Sequence, residues 1–525
     1  MNRWCVSRED LKQFQRLVWR AVQDGYILPQ ERDLFDPTDC TVGPSMYTVV
    51  EQYIKPMTQA AGNVSWALLA HPEGLQCDLF ITHCWAEGIF EFVEKATRSW
   101  PHGAKAAYIC FLSNPQNLDV SHLIQDPAES PFAKALEAAK HVLAIPNSKV
   151  SIYTRIWCVY EAFLAHTQGK FILTAKTVKH AFWLQVLRVS FVYLASVTAS
   201  TWMGSLVSQE LTEQFVLPPL ILTVLFGIAH LFLCNHYSRF PCITRCVVYL
   251  IAISCGVVLG LRLNTPSEIE LLAAVFLFFC TGALEADRLE GKEGAQQAAN
   301  LRNNFTGHLA DAECSDDADK RRICAELTNS GQEEAVEEAV AVLMHMNIST
   351  PELRSTMLRT GTLGDATSLS GSFMILGMSL FFLQPCAVCI DWYLLVNIFQ
   401  IHWLCIMLAL GILEFLFLSL LLLCYAIWCP DRWTFAVRSQ AMWFLILPAE
   451  AMTSTLHPEI IANVVAVSIF ILGPCILILA ILGPARMSRV PIFGAALVRL
   501  IYGRAPWKTP CAKCTKPSGT SPRRQ

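Results

Sequence analysis

Charge is what this chain of 525 residues has least of: only 16% are Asp, Glu, Lys or Arg, against 54% apolar residues. An ordinary soluble domain carries about 25% charged residues, so a single water-bathed globule is excluded. The net charge is only -3, and no basic stripe stands out, which argues against a nucleic-acid partner. The opening MNRWCVSREDLKQFQRLVWR is charged and amphipathic and lacks the apolar core of a signal peptide. The first soluble region is therefore expected in the cytosol. A disulfide framework is missing too, although there are 21 cysteines. Many (Cys234, Cys246, Cys255, Cys280, Cys405, Cys424) lie inside apolar runs, where Cys behaves as a small hydrophobe. The others show no regular spacing, as in a reducing compartment. Cys386/Cys389 and Cys511/Cys514 form Cys-x-x-Cys pairs without the second ligand pair a zinc site needs, so no metal is expected.

What is present in abundance is apolar sequence in runs of membrane length. Residues 186–207, 215–234, 241–261, 269–284, 373–396, 403–429, 433–449 and 460–482 predict about eight spans, given roughly 20 residues per crossing. Arg239 and Arg245 fall in one connecting segment, Arg432 and Arg438 in another, and Arg486 and Arg489 follow the last run, all on one side of the predicted spans, while SQELTEQ and STLHPE, on the other side, lack Lys and Arg. With Arg262 as the exception, this pattern places the N-terminus, a central segment and the tail on the cytosolic side. Within the spans, Glu414 sits mid-run and Arg188 near an end, and intramembrane charges often mark a pathway.

The soluble parts differ from one another. Residues 1–76 read as helical, then irregular, with Phe14, Leu17, Val18 and Ala21 on one apolar face. Residues 77–180 alternate strands and helices. CDLFITH, AAYICFL, HVLAIPNS and KFILTAK are strand-like. GIFEFVEKATRSW, the stretch opened by Ser130-Pro131, and TRIWCVYEAF are helical. That alternation predicts a parallel sheet covered on both faces. Residues 285–370 form an acidic helical insert between two membrane regions of about four helices each, 186–284 and 373–482. Residues 483–525 make a basic, Pro-rich tail suited to lie near anionic lipid. Asn304 and Asn347 are glycosylation acceptors only if the insert faces the lumen.

In a doubly wound sheet, ligands bind at the carboxyl ends of the strands, where strand order reverses. Two segments meet there: Thr82-His83-Cys84-Trp85-Ala86-Glu87-Gly88, and the run from Pro146 into the helix with Trp157 and Glu161. Trp157 and Glu161 stand four residues apart, on one helical face.

These residues resemble a family. CDLFITHCW looks like the first-strand box of TIR (Toll/interleukin-1 receptor) domains. ALEAAKHVLAIPNSKVSIYTRIWCVYEAFLA looks like their helix–strand–helix ending in Trp-Cys-x-x-Glu. The union of such a domain with many spans is also similar to multi-span membrane proteins of unicellular algae. The resemblance covers residues 77–176 and implies a flavodoxin-like fold, self-association and signalling. For some members it also implies hydrolysis of the nicotinamide–ribose bond of NAD, with Glu161 as the catalytic carboxylate. Trp157, His83 and Trp85 would then be the substrate-binding candidates. The family's fifth strand and last helix have no evident counterpart between Lys176 and the first span.

Plainer readings stand beside these. Glu161 is alternatively a paired helix carboxylate, Trp157 a core residue and His83 a structural histidine. Cys158 has no adjacent His–carboxylate pair to make it a nucleophile. The whole chain is then a non-catalytic interaction module at a bilayer, or a transporter or channel regulated by its soluble parts.

Overall fold

The structure is a computed structural model. It describes residues 3–119, 123–147, 150–176, 182–207, 209–233, 240–262, 268–302, 312–314, 317–329, 331–344, 348–360 and 473–502. Two compact units emerge. One joins Met1–Ala175 to Gln297–Pro351, and the other holds the described parts of Lys176–Gln296 and Glu352–Arg504.

The first unit is built on a six-stranded mixed sheet in the order β1-β3-β2-β4-β5-β6. Its central strands are β2 (Leu79–Thr82), β3 (Ala106–Ile109), β4 (His141–Ala144) and β5 (Phe171–Thr174). They pair in parallel, β2 with both β3 and β4, and β4 with β5. The two-residue edges β1 (Val6–Ser7) and β6 (Ile348–Ser349) pair antiparallel, with β3 and β5 respectively. The sheet is therefore parallel only at its centre, where both faces are covered.

Alternation along each strand divides the core in two. Phe80, Ala106, Tyr108, Val142, Ala144 and Ile172 point to one face. There they meet Leu136 of α7 (Pro131–Ala138) and Val159 of α8 (Ile156–Thr167). Leu79, Ile81, Ala107, Ile109 and Leu143 point to the other. They meet Phe14 and Val18 of α1 (Arg8–Gln23) and Phe92 and Val93 of α5 (Ile89–Arg98). Each such large side chain contributes about 1.5–3 kcal/mol on burial. Ser7 and Ser130 cap α1 and α7, accepting from Asp10 N and Ala133 N.

Several boundaries differ from the sequence reading. AAYICFL is a strand only to Ile109. Ser113 Oγ accepts the Ile109 amide at 2.9 Å, diverting it from the ladder, and Cys110–Ser113 closes one helical turn, α6. Residues 1–76 do not stand apart: β1 extends the sheet, and α1 lies in the core with α5. Between them and β2 run α2 (Met46–Val49), α3 (Lys55–Ala60) and α4 (Trp66–Ala70). The stretch after α1 also supplies the buried Met46, Val49 and Trp66. The insert likewise does not begin at 285, because no proline interrupts the Ala-, Glu- and Leu-rich sequence there and its glycines are tolerated within the helix.

Instead, residues 269–284 open a single helix, α12 (Glu268–Arg302), of 35 residues. Beyond it, α13 (Asp317–Asn329) and α14 (Glu333–Leu343) pack on α8 through Ile323, Leu327, Val336 and Val340. This segment, far along the chain, thus supplies the sheet with an edge strand and covering helices.

The second unit contains α9 (Phe182–Ser205), α10 (Gln209–Leu233), α11 (Pro241–Arg262), α15 (Pro351–Thr360), α16 (Gly473–Met487) and α17 (Gly494–Tyr502). Among the described residues, two helical stretches, Phe182–Ser205 and Pro241–Leu261, are long and apolar enough to cross a membrane by length and composition. SQELTEQ, read as a loop, is helical from Gln209. Small residues let α9 and α11 approach closely: a Cβ on Gly256 would lie 2.7 Å from Ser196 Cβ. Ser200 Oγ donates to Gly256 O at 3.2 Å, and Tyr193 OH to Ala274 O of α12 at 3.0 Å. Arg188 is exposed on α9. The expected spans 373–396, 403–429 and 433–449 lie outside the described residues, as do most of 460–482, Glu414, both Cys-x-x-Cys pairs, Asn304 and Asn347.

Candidate functional site

The carboxyl ends of β2 and β4 lie side by side, with Ile145 N donating to Thr82 O at 3.0 Å. From β2 one crossover leads to β3 and, on its other side, lies β4, so strand order reverses between β2 and β4. The start of α8 lies over this point. Ser151 caps a short 3-10 turn, Ile152–Thr154, and its hydroxyl also donates to Leu301 O. Ile156 N then donates to Glu313 O at 2.9 Å, so a backbone carbonyl from the later segment occupies the helix's first amide.

Glu161 follows in the second turn of α8 and is only 6% exposed. Burial pushes its carboxyl up to about 7, while the Thr82 hydroxyl and the Arg155 guanidinium pull it partway back. Such a group is divided between acid and carboxylate at neutral pH, which suits it to proton transfer or to facing developing positive charge.

His83 lies buried at the start of the loop after β2. Its ring centroid is 4.8 Å from that of Phe92 and 5.3 Å from that of Phe111. Burial, reinforced by Arg155, holds it down at about 3, so it is a neutral imidazole at physiological pH. Its Nε2 is 3.3 Å from Cys110 Sγ, which also accepts from Trp85 Nε1 at 3.2 Å. The Cys158 thiol donates to His83 O at 3.5 Å. Burial raises Cys110 to about 12 and Cys158 well above the usual thiol range, so both are protonated and poorly nucleophilic.

The structure thus gathers Glu161, His83 and Trp85 around Arg155 and Cys110. Trp157 is not among them. Its ring packs on Phe132 at 4.9 Å, and its Nε1 donates to Asp319 Oδ2 of α13 at 3.2 Å. It joins α8 to the covering helices instead of facing the strand ends.

Sequence reasoning missed Arg155 and Tyr47. Arg155 immediately precedes α8 and faces Tyr47, Cys84, Cys110 and Cys158 from three other segments as well as its own. Tyr47, in α2, places its ring 5.4 Å from that of Trp85. No periodicity marks either residue, and only the lone cation before the Trp-Cys-x-x-Glu run hinted at the first. Among the described residues, no group of three or more His, Cys, Asp or Glu side chains is arranged to hold a metal ion. Comparison with protein-family models, curated proteins and solved structures finds no match for this chain.

Proposed function

We propose that this chain is a multi-pass membrane signalling protein whose cytosolic unit is a TIR-like, flavodoxin-type domain that hydrolyses NAD. The carrying observation is Glu161, buried where the order of the parallel strands reverses, beside Thr82 and Arg155. The central order β3-β2-β4-β5 matches the doubly wound pattern with its ligand crevice between first and third strands. In the proposed reaction the bond from ribose C1′ to the nicotinamide nitrogen breaks, and its electron pair leaves with nicotinamide. Water adds to C1′ and releases a proton, giving ADP-ribose. Glu161, as carboxylate, stabilises the positive charge that builds on the ribose, as carboxylates do in glycoside hydrolysis.

Length and composition of α9 and α11 support the bilayer part of the reading, and their Gly/Ser contact is the packing that lipid-bathed helices favour. The N-terminal domain, insert and tail are assigned to the cytosol by the arginine pattern, and self-association of the domain would relay the signal.

The test uses the full chain in detergent or nanodiscs, incubated with NAD beside a Glu161→Gln variant of matched melting behaviour. Nicotinamide released by the parent and lost in the variant supports the reading. No release from folded, dispersed parent removes catalysis. That outcome would leave a non-catalytic interaction module, a second reading favoured by the engagement of Trp157 with Phe132 and Asp319.

A further inference from the structure

At the end of the second unit, α16 and α17 are joined by an elbow in which all the charge is of one sign. From Gly473 to Tyr502 there is no Asp, Glu or Lys, while Arg486, Arg489 and Arg499 all lie exposed. Gly483, at φ +67°, and Pro484 kink the apolar α16 about one turn before its end. Arg359 of α15 ties that turn down, donating through Nε to Ser488 Oγ at 3.3 Å and through Nη2 to Ala485 O at 3.2 Å. Arg499 of α17 donates to Thr360 O of α15 at 3.1 Å. A Cβ on Gly494 would strike the Met487 carbonyl, so α17 starts hard against the end of α16. The elbow is braced on both sides.

Between the two helices the chain holds an uncommon shape. Phe493 N donates to Pro491 O at 2.8 Å, closing a three-residue turn around Ile492 at φ +69°. Such a turn is rare and strained, the more so with a β-branched residue at its centre. Strain of this kind is ordinarily offset by packing, yet Ile492 is fully exposed and the Phe493 ring is more than half exposed. A fixed, strained turn therefore holds two apolar side chains out into the surroundings.

The neighbours of this tip identify what covers it. The side chains of Arg486 and Arg489, one turn apart, close no salt bridge or hydrogen bond among the described residues. Behind them, Ile478 and Ile481 are exposed on α16, so the apolar surface continues along the helix that leads into the elbow. Apolar residues continuous with an apolar helix, flanked by unpaired arginines, complement acyl chains beneath an anionic headgroup layer.

We infer that the elbow between α16 and α17 anchors the chain to an anionic lipid surface. Ile492 and Phe493 enter the acyl layer, and Arg486 and Arg489 take headgroup phosphates. The inference rests on the bilayer part of the proposed function and is independent of NAD cleavage.

The test uses the full chain in nanodiscs of phosphatidylcholine alone or mixed with phosphatidylserine. The photo-crosslinking residue p-benzoylphenylalanine replaces Phe493 or, as a reference, Phe191, an exposed ring on α9. Mass spectrometry after illumination reads the lipid adducts. Adducts at position 493 are expected to rise about fivefold or more with phosphatidylserine. They should fall by a similar factor in an Arg486→Gln, Arg489→Gln double variant whose melting matches the parent, while adducts at position 191 hold steady. Lipid adducts at 191 with none at 493 overturn the anchor and leave the bilayer reading intact. Adducts at 493 that ignore headgroup charge and both arginines overturn it as well, as do crosslinks from 493 to a second copy of the chain. Absence of lipid adducts at both positions removes the bilayer reading and the anchor together.

Discussion

The indole of Trp157 donates to Asp319 Oδ2 at 3.2 Å across a sequence separation of 162 residues. A second contact runs parallel to it, from Tyr160 OH to Glu326 Oε1 at 2.9 Å. With the Ile156–Glu313 backbone bond, they fasten the helix carrying Glu161 to the segment that lies beyond α12. A hydrogen bond to a carboxylate contributes about 1.5–3 kcal/mol, less where water reaches it. In a double-mutant cycle, Trp157→Phe and Asp319→Ala are expected to show about 1 kcal/mol of coupling in unfolding of the full chain. Independent, additive losses would mean the contact holds nothing.

The raised carboxyl of Glu161 makes stability depend on pH. The unfolded chain loses this proton near the ordinary value of 4.5, whereas the folded chain keeps it to about 7. Between those values the unfolded state is increasingly favoured, so stability falls as pH rises through the window and then levels off. Glu161→Gln is therefore expected to exceed the parent in stability by up to about 3 kcal/mol above pH 7, and to gain little below pH 4.5. Melting curves of both proteins from pH 4 to 8.5 measure the difference. On the proposed hydrolysis, nicotinamide release should climb as pH rises through about 7, where the folded-state carboxylate forms. A stability difference that does not change with pH would show that Glu161 titrates normally.

How much of this was legible beforehand follows from range. Short apolar runs such as Leu79–Thr82 and Phe171–Thr174, and the Ser130-Pro131 cap, declare themselves locally, so the central strands and their helices could be read directly. The edges could not, because two residues at Val6–Ser7 or Ile348–Ser349 are too few to show a period of two. Glu161 and His83 could be nominated from strand order. That Trp157 turns away from them depends on Asp319, whose partner no local pattern discloses.

Lys95 is the buried cation that binds the two loops of the site. Its Nζ donates to Pro146 O at 2.5 Å after β4, and lies 2.7 Å from Glu91 and 3.8 Å from Glu87. Glu87 is fully buried, and burial raises its carboxyl well above the usual range despite the nearby ammonium. To the extent that burial keeps Glu87 in its acid form, an amide is close to it in shape and charge. Glu87→Gln should therefore change stability by less than about 1 kcal/mol at pH 7, whereas Lys95→Met should cost about 3–5 by stranding Glu91 and the Pro146 carbonyl. Chemical unfolding of both variants decides it. Equal losses would show that Glu87 matters as much as the lysine, as a charged partner would.

The contact between α9 and α11 offers the sharpest steric test. A Cβ on Gly260 would meet the Val197 carbonyl and Ser200 Oγ, and one on Gly256 would lie 2.8 Å from Tyr193 O. Backbone oxygens cannot rotate aside, so the helices themselves must part. At Gly282 the nearest atom is Ser190 Oγ, at 2.9 Å, and a hydroxyl can turn to another rotamer. If the two helices cross a bilayer, as proposed, they have no hydrophobic drive toward one another there and depend on this closeness. Gly260→Ala is expected to cost about 1–3 kcal/mol and Gly282→Ala distinctly less, read as detergent melting temperatures of the full chain. The reverse ranking would mean that α9 and α11 do not pack through these glycines.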